Sequence, residues 1–217
     1  VRVGQDVALR SPHNDLLARG PRFRVEAEVV RDIALSVSGL LNPTIGGPSV
    51  YPPQPEGVTA LAYGQMAWPT STGPDRYRRG LYTFTKRTAP YAAFAVMDAP
   101  PSETVCVRRD RSNTPLQALT LLNDTVYVEA AQALARRIVQ EASSDERITY
   151  AYRLCLSRPP TSAEHAAVTA FLERARQRFE RGELDASQVA GRPDPELAAW
   201  TTFARVLLNL DEMITRE

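Results

Sequence analysis

Apolar residues recur every three or four positions through the second half of the chain, which is the spacing of one helix face. Capping residues and turns divide this pattern into four or five helices with short links, a bundle-like arrangement. The predicted helix starts are the Thr114–Gln117 capping box, Asp124 or Thr125, the Ser143–Glu146 capping box, the Thr161–Glu164 capping box and Asp194-Pro195. The predicted ends lie near Leu122, Ala142, Leu156, Gly182 and Leu210.

One helix is predicted in the first half, over Phe23–Leu41, where Val30, Ile33 and Val37 share a face. Four charged side chains lie three or four positions apart on this segment, so opposite charges can meet. Two interpretations stay open: a solvated face of salt bridges, or a partly buried ion network that anchors a neighbouring loop. The four residues are Arg24, Glu28, Arg31 and Asp32.

The rest of the first half is predicted to be rich in loops. Many of the 17 prolines and 11 glycines fall between Pro43 and Pro101, and they oppose helix and strand pairing. Residues 42–66 read as a long packed loop, 79–85 as a short strand or extended segment, and 92–96 as a short helix or strand. The predicted fold class is mainly α: a helical bundle-like C-terminal half, a loop-rich N-terminal half and at most a few short strands.

The size of the chain suits a single domain over residues 1–217, because 217 residues with 43% hydrophobic content can bury a core. Within it, residues 1–113 hold a helix and the long loops, and residues 114–217 the helical bundle part. The chain starts with valine and in the middle of a pattern, which indicates a fragment of a larger protein. A net charge of +1 provides no field for nucleic acid, and no apolar run approaches the ~20 residues of a transmembrane helix.

The cysteines and histidines show no metal or haem motif. Cys106 and Cys155 form neither CxxC nor CxxCH, so this chain supplies no attachment site for c-type haem. They are predicted to be buried free thiols, or a Cys106–Cys155 disulfide if the domain lies outside the cytoplasm. His13 and His165 lack metal-ligand spacing and lie far in sequence from Cys106, so neither a metal site nor a nucleophilic cysteine is predicted.

Reactive residue types are densest in Arg78–Asp124, which includes two acids on a proline-stiffened loop. Asp98 and Glu103 are candidates for a general acid and base, as in glycoside hydrolysis. The competing interpretation is that each carboxylate pairs with a nearby arginine or caps a backbone turn. Spacing within a loop does not fix the separation of two carboxylates, so both interpretations stay open.

A second hypothesis for this segment is an anion-binding site at the start of the Thr114 helix. Guanidinium forks bind carboxylate, sulfate or phosphate, and the N-terminus of a helix favours an anion. An anionic polysaccharide or a haem propionate would suit such a site. The competing interpretation is a salt-bridged surface beside a structural turn and cap. The candidate residues are Arg79, Arg87, Arg108, Arg109, Asn113 and Thr114.

Three long motifs resemble a planctomycete family, the domain of unknown function 1553. They read RRGLYTFTKRTAP, MDAPPSETVCVRR and SNTPLQALTLLND, and similar flanks extend the resemblance over nearly the whole chain. The resemblance implies the C-terminal domain of large exported or envelope-associated bacterial proteins, which often also carry a cytochrome c domain. It therefore implies an extracytoplasmic location, and haem c in another domain of the parent polypeptide rather than in this chain. The family has no established activity.

The function expected from the residues and the resemblance together is an accessory or binding module associated with a c-type cytochrome domain. Its expected partners are the other domains of the parent polypeptide and, in addition, an anionic glycan. The alternative is an enzyme that acts on a complex or sulfated carbohydrate through Asp98 and Glu103, with the arginines selecting the anion. Whether the chain is an enzyme stays open.

Overall fold

The computed structural model describes residues 20, 22–55, 57–58 and 67–216. Within them, helices account for most of the regular structure, and a two-stranded antiparallel sheet for the rest, so the mainly α prediction is confirmed. The helices are α1 (Ala27–Ser38), α2 (Ala92–Val96), α3 (Pro115–Asn123), α4 (Thr125–Glu141), α5 (Arg147–Leu156), α6 (Ser162–Glu180), α7 (Ala186–Ala190), α8 (Pro195–Leu208) and α9 (Asp211–Ile214). The strands are β1 (Phe23–Arg24) and β2 (Thr215–Arg216), and 3₁₀ turns lie at Gly73–Tyr77 and Gly80–Tyr82.

The centre of the helical half is the packing of α4 against α8. Helix α4 also packs against α1, and α8 also packs against α6 and α7. Ala130 and Ala131 on α4 and Ala204 on α8 are 0% exposed, and such small side chains let two helix backbones approach closely. Leu134 and Leu207 are also 0% exposed and fill the space that remains. This core holds α1, and α1 in turn positions the loops of the N-terminal half.

Two of the three predicted capping boxes are confirmed. Thr114 and Thr161 each accept a hydrogen bond from the third residue of the helix, and that residue's side chain binds the capping residue in return. The Ser143–Glu146 box is wrong, because the Glu146 backbone N–H donates to the Ser143 carbonyl and closes a turn that delays α5 until Arg147. Helices α7 and α9 are additions that the pattern did not predict.

The start of the first helix also differs from its prediction. Residues 23–24 form β1 and pair with β2, so α1 begins at Ala27 rather than at Phe23. Gly39 ends α1 in the left-handed conformation, with φ of 79°, where glycine is favoured. The segment 79–85 forms a 3₁₀ turn and one isolated bridge to Val50 instead of a regular strand.

Some sequence predictions fall outside the described residues. They concern His13 and, within the predicted 42–66 loop, residues 56 and 59–66. Among the helices of the described residues, none is long and apolar enough to cross a membrane.

Candidate functional site

Residues Arg31 and Asp32 of α1 hold the segment that surrounds the second 3₁₀ turn. Arg31 is 0% exposed and donates to the carbonyl oxygens of Arg76 and Arg78, at 3.0 and 2.5 Å. Asp32 accepts a hydrogen bond of 2.6 Å from the backbone N–H of Gly80. The charged side chains of α1 therefore anchor a neighbouring loop, as the second interpretation expected, but in the described residues Asp32 and Glu28 pair with Arg79 and Arg109 rather than with arginines of their own helix.

Arg78 extends this anchoring to the loop that follows α1. Its guanidinium donates to the carbonyl oxygens of Thr44 and Pro48, both at 3.1 Å, and also to that of Gly46. The same group lies 3.9 Å from the centre of the Tyr82 ring, a cation–π contact. The Tyr82 hydroxyl accepts a hydrogen bond from the Gly46 N–H at 2.8 Å. Guanidinium N–H groups thus satisfy loop carbonyls that no regular secondary structure pairs.

Gly80, the glycine of the RRGLYTFT motif, allows this segment to lie directly on α1. A Cβ atom built at Gly80 would lie 2.9 Å from the backbone of Glu28, closer than side-chain carbons approach other atoms. Any other residue at this position would push the segment away from α1. The motif is therefore explained by close packing.

Asp98 closes residues 98–112 into a loop whose two ends are held together, which we call the clamped loop. Its carboxylate accepts hydrogen bonds from the Ser112 backbone N–H at 2.7 Å and the Ser112 hydroxyl at 2.8 Å. Arg24, only 5% exposed, donates to the same carboxylate at 2.5 Å, and the Gln117 amide donates at 3.2 Å. Asp98 itself has φ of 61°, a left-handed conformation that aspartate tolerates better than most residues.

The pKa of Asp98 reflects these contacts. Burial by itself raises the pKa, but the hydrogen bonds from Ser112 and the nearby Arg24 guanidinium outweigh burial and lower it. The side chain is therefore ionised at neutral pH, with its oxygens occupied by donors within the protein. Glu103, the second candidate of the acid–base hypothesis, is exposed on the clamped loop. Asp98 therefore anchors the two ends of the clamped loop, and the role of Asp98 and Glu103 as general acid and base stays a prediction.

Two of the four arginines predicted to bind anions are already paired with carboxylates. Arg109 donates to Glu26 at 3.1 Å and to Glu28 at 2.8 Å. Arg79 donates to Asp32 at 3.2 Å. Both are therefore neutralised by carboxylates of the N-terminal half. Two further candidates, Arg87 and Arg108, are exposed.

The N-terminus of α3 has few free donors for an anion. Its capping box occupies the Thr114 and Gln117 backbone N–H groups, through hydrogen bonds of 3.2 and 3.3 Å. Pro115 has no N–H, so of the first three helical residues only Leu116 keeps an uncommitted donor. Asn113, just before the cap, is exposed. The anion-site hypothesis therefore rests on fewer donors than the sequence indicated.

A polar cleft of about 800 Å³ lies on one side of the clamped loop. Its lining includes Glu26, Cys106 and Arg108, together with Arg109 and Arg111. The Arg111 guanidinium stacks 4.6 Å from the centre of the Phe23 ring. The cleft therefore contains charges of both signs rather than a purely basic surface.

The two cysteines have opposite environments. Both are free thiols, and Cys106 is exposed on the clamped loop, so the prediction that it is buried is wrong. Cys155 lies largely inside the protein, and burial raises its pKa to about 12, which keeps the thiol protonated. In the described part of the chain, no group of three or more His, Cys, Asp or Glu side chains is arranged to hold a metal ion.

The sequence reasoning included Arg31 among four charged residues of the first helix without singling it out, and it missed the tertiary hydrogen bonds of Gln117. Both are at most 1% exposed. Arg31 had a detectable signal: it lies four residues after Ala27 and four before Leu35, both buried on the same face of α1. An arginine inside an apolar face indicates a buried guanidinium with fixed partners. Gln117 was identified only as a capping residue, and its further bonds depend on tertiary structure.

Together, the fold and these contacts define a mainly helical domain whose loops are anchored by buried arginines. The family model described as "Protein of unknown function (DUF1553)" matches residues 2–172, well over half of the chain. The chain therefore belongs to the DUF1553 family. The match spans the loop-rich half, the clamped loop and the helices up to the middle of α6. Neither a curated protein nor a solved structure matches the chain significantly.

Proposed function

We propose that the chain is a non-catalytic binding domain of a larger exported bacterial protein, and that the clamped loop contacts another domain of the same polypeptide. One observation supports this most directly. The tip of the clamped loop displays Val105 and Val107, which are 92% and 96% exposed, on either side of the exposed Cys106. Apolar side chains presented in this way gain from burial against a partner.

The hydrogen bonds at the base of the clamped loop make its exposed tip suitable for docking. Asp98, Ser112 and Arg24 fix both ends of the loop, so less conformational entropy is lost when its tip is covered. Exposed Arg108 follows the two valines. A complementary partner surface would offer an apolar depression with an acidic rim.

The family resemblance supports the finer part of the proposal. In that setting the parent polypeptide lies outside the cytoplasm and carries a c-type cytochrome domain, which holds the haem. The chain described here contributes a contact surface to that assembly and no haem ligand motif.

Two other proposals have weaker support. An anionic glycan would have to compete with Glu26 and Glu28 for Arg109. An enzyme of complex or sulfated carbohydrates would need Asp98 as a free acid or base, while its carboxylate is occupied by donors from Arg24 and Ser112.

The exposed Cys106 thiol provides a direct test of docking. We expect iodoacetamide to modify Cys106 readily in the chain alone and at least tenfold more slowly in the full-length parent polypeptide. Buried Cys155 is the internal control, because its raised pKa leaves almost no thiolate in either protein. Equal rates at Cys106 in the two proteins would contradict the proposal.

A pair of variants locates the contact. In the full-length protein, Val105→Asp with Val107→Asp should bring the rate of Cys106 modification up to that of the same double variant in the chain alone, because burying two carboxylates against an acidic-rimmed apolar surface is unfavourable. Ile45→Asp is the matched control, since Ile45 is 86% exposed on a different loop. If Ile45→Asp has the same effect as the double variant, the clamped loop is not the specific contact.

A further inference from the structure

A second cavity, the crevice, has a volume of about 250 Å³, and its lining shares Pro100 and Arg109 of the clamped loop with the polar cleft. We propose that the crevice binds a single ring of a neutral carbohydrate. Its apolar walls include Phe84, Pro90 and Phe94. Its polar lining is given by Glu28, Thr83, Thr85, Ser102 and Arg109.

The volume of the crevice limits the size of the ligand. Sites for drug-sized molecules usually enclose about 300–1,000 Å³. The crevice lies just below that range, so it suits one small ring rather than a long chain held along its whole length. Further sugar units of an oligosaccharide would extend into solvent.

The aromatic walls are held in place by neighbouring rings. Phe84 stacks on Tyr51 with ring centres 4.8 Å apart, and Phe94 meets Tyr91 edge-on at 5.0 Å. Such contacts fix the rings before any ligand arrives. A preformed apolar wall suits the C–H face of a sugar ring, which is flat and carries no strong hydrogen-bonding group.

The charges at the crevice favour a neutral ligand over an anionic one. Arg109 already donates to Glu26 and Glu28, and a sulfate or carboxylate would have to displace one of them. A neutral polyol does not meet this obstacle. Its hydroxyls can donate to the remaining lone pairs of Glu28 and accept from the remaining N–H groups of Arg109.

Hydroxyl groups around the crevice complete this set of donors and acceptors. The Oγ1 atom of Thr83 is itself buried and has no hydrogen-bond partner among the described residues, so the hydroxyls open to a ligand are those of exposed Thr85 and Ser102. Among the described residues, the Thr85 hydroxyl makes a 3.5 Å contact to the Thr83 carbonyl. Side-chain hydroxyls serve as both donor and acceptor, as sugar hydroxyls do. The crevice therefore combines an apolar wall with several groups that match a polyol.

Saturation-transfer NMR with defined sugars tests the inference. The probes are glucose, galactose, mannose, xylose and N-acetylglucosamine, with glucose 6-sulfate as the anionic counterpart. We expect at least one neutral sugar to bind saturably at millimolar concentration, and the sulfated sugar to bind no more tightly. Absence of binding by all the neutral sugars, or tighter binding of the sulfated one, would overturn the inference.

Variants then assign any binding to the crevice. Thr85→Val removes a hydroxyl with little change in shape and should weaken binding at least fivefold, and Glu28→Gln should also weaken it. Thr120→Val is the matched control, because Thr120 lies at another cavity and its hydroxyl bonds the Leu116 carbonyl of its own helix. Equal effects of Thr85→Val and Thr120→Val would remove the crevice as the site. The result is independent of the docking test, because Cys106 modification reports on the tip of the clamped loop alone.

Discussion

In the helical half, fully buried alanines and leucines pack α4 against α8, whereas in the loop-rich half buried arginines donate to loop carbonyl oxygens. The first kind of contact is non-directional and depends on apolar area. The second kind is directional and fixes the path of the backbone, because each guanidinium binds particular carbonyls. A loop-rich half can therefore be well ordered without a large apolar core of its own, if its backbone acceptors are satisfied from inside.

The largest effect is expected from Leu134→Ala in the helical half. Leu134 is 0% exposed between the central helices, and such truncations cost about 3–5 kcal/mol because they leave a cavity. Urea unfolding followed by circular dichroism should show a lower free energy of unfolding for the whole domain. A cost below about 1 kcal/mol would show that the centre of the helical half is packed loosely.

Arg31→Met is expected to cost about 2–4 kcal/mol, because one buried and one partly buried carbonyl lose their donor. The same urea measurement gives the cost, and limited proteolysis should show new cleavage near Arg76–Gly80, the segment that Arg31 holds. Arg174→Met, on the exposed face of α6, is the matched control and should stay within about 0.5 kcal/mol of wild type. If both variants are equally stable, buried guanidinium contacts do not hold the loop-rich half.

Asp98→Asn is expected to cost about 1–3 kcal/mol at neutral pH, because the amide cannot accept from Arg24 and Ser112 as the carboxylate does. Asparagine tolerates the left-handed backbone here, so the variant isolates the loss of charge.

The pH dependence of stability gives a second test of Asp98, because its folded-state pKa is below the ordinary 3.8. Its stabilising effect is therefore complete above that value and disappears as the pH falls through the folded pKa. The difference in unfolding free energy between wild type and Asp98→Asn should therefore shrink between pH 6 and pH 2.5. A difference that stays constant over this range would show that the ionised Asp98 carboxylate does not stabilise the fold.

The two capping boxes allow the smallest and most closely matched comparison. Thr161→Ala should cost about 1 kcal/mol, the usual value for a lost helix cap. Thr114→Ala should cost more, because its partner Gln117 also binds Ser112 and Asp98 at the base of the clamped loop. Thermal unfolding of both variants gives the comparison. Equal costs would show that the α3 cap is not coupled to the clamped loop.

Several elements of the helical half were predictable because their signals are local. The Thr114 and Thr161 boxes and the Asp194-Pro195 start each lie within four residues, and each appears in the structure. The Ser143 box has the same pattern but forms a turn, because its end residue bonds back before the helix begins. The predicted start of α1 was wrong for a different reason. Residues 23–24 pair with residues 215–216 at the far end of the chain, and no local pattern shows that partner.

The candidate site also has a part that is visible in the local sequence and a part that is not. Its candidate residues were proposed from the dense segment Arg78–Asp124, and their partners lie outside the local sequence. Arg24 reaches Asp98 across 74 positions, and Arg109 reaches Glu28 across 81. An arginine looks the same in sequence whether it faces solvent or a carboxylate, so the candidate anion-binding arginines could not be told apart before folding.

The sequence by itself determined the mainly α class, several helix starts and the family, because these depend on periodicity, caps and long motifs read along the chain. Only the tertiary structure decided which charged groups are buried, that Asp98 clamps a loop, and that Cys106 is displayed while Cys155 is enclosed. The physical reason is that burial and hydrogen-bond partners are properties of the packed chain. Residues many positions apart must first be brought together before a carboxylate becomes an anchor or a loop tip becomes a surface.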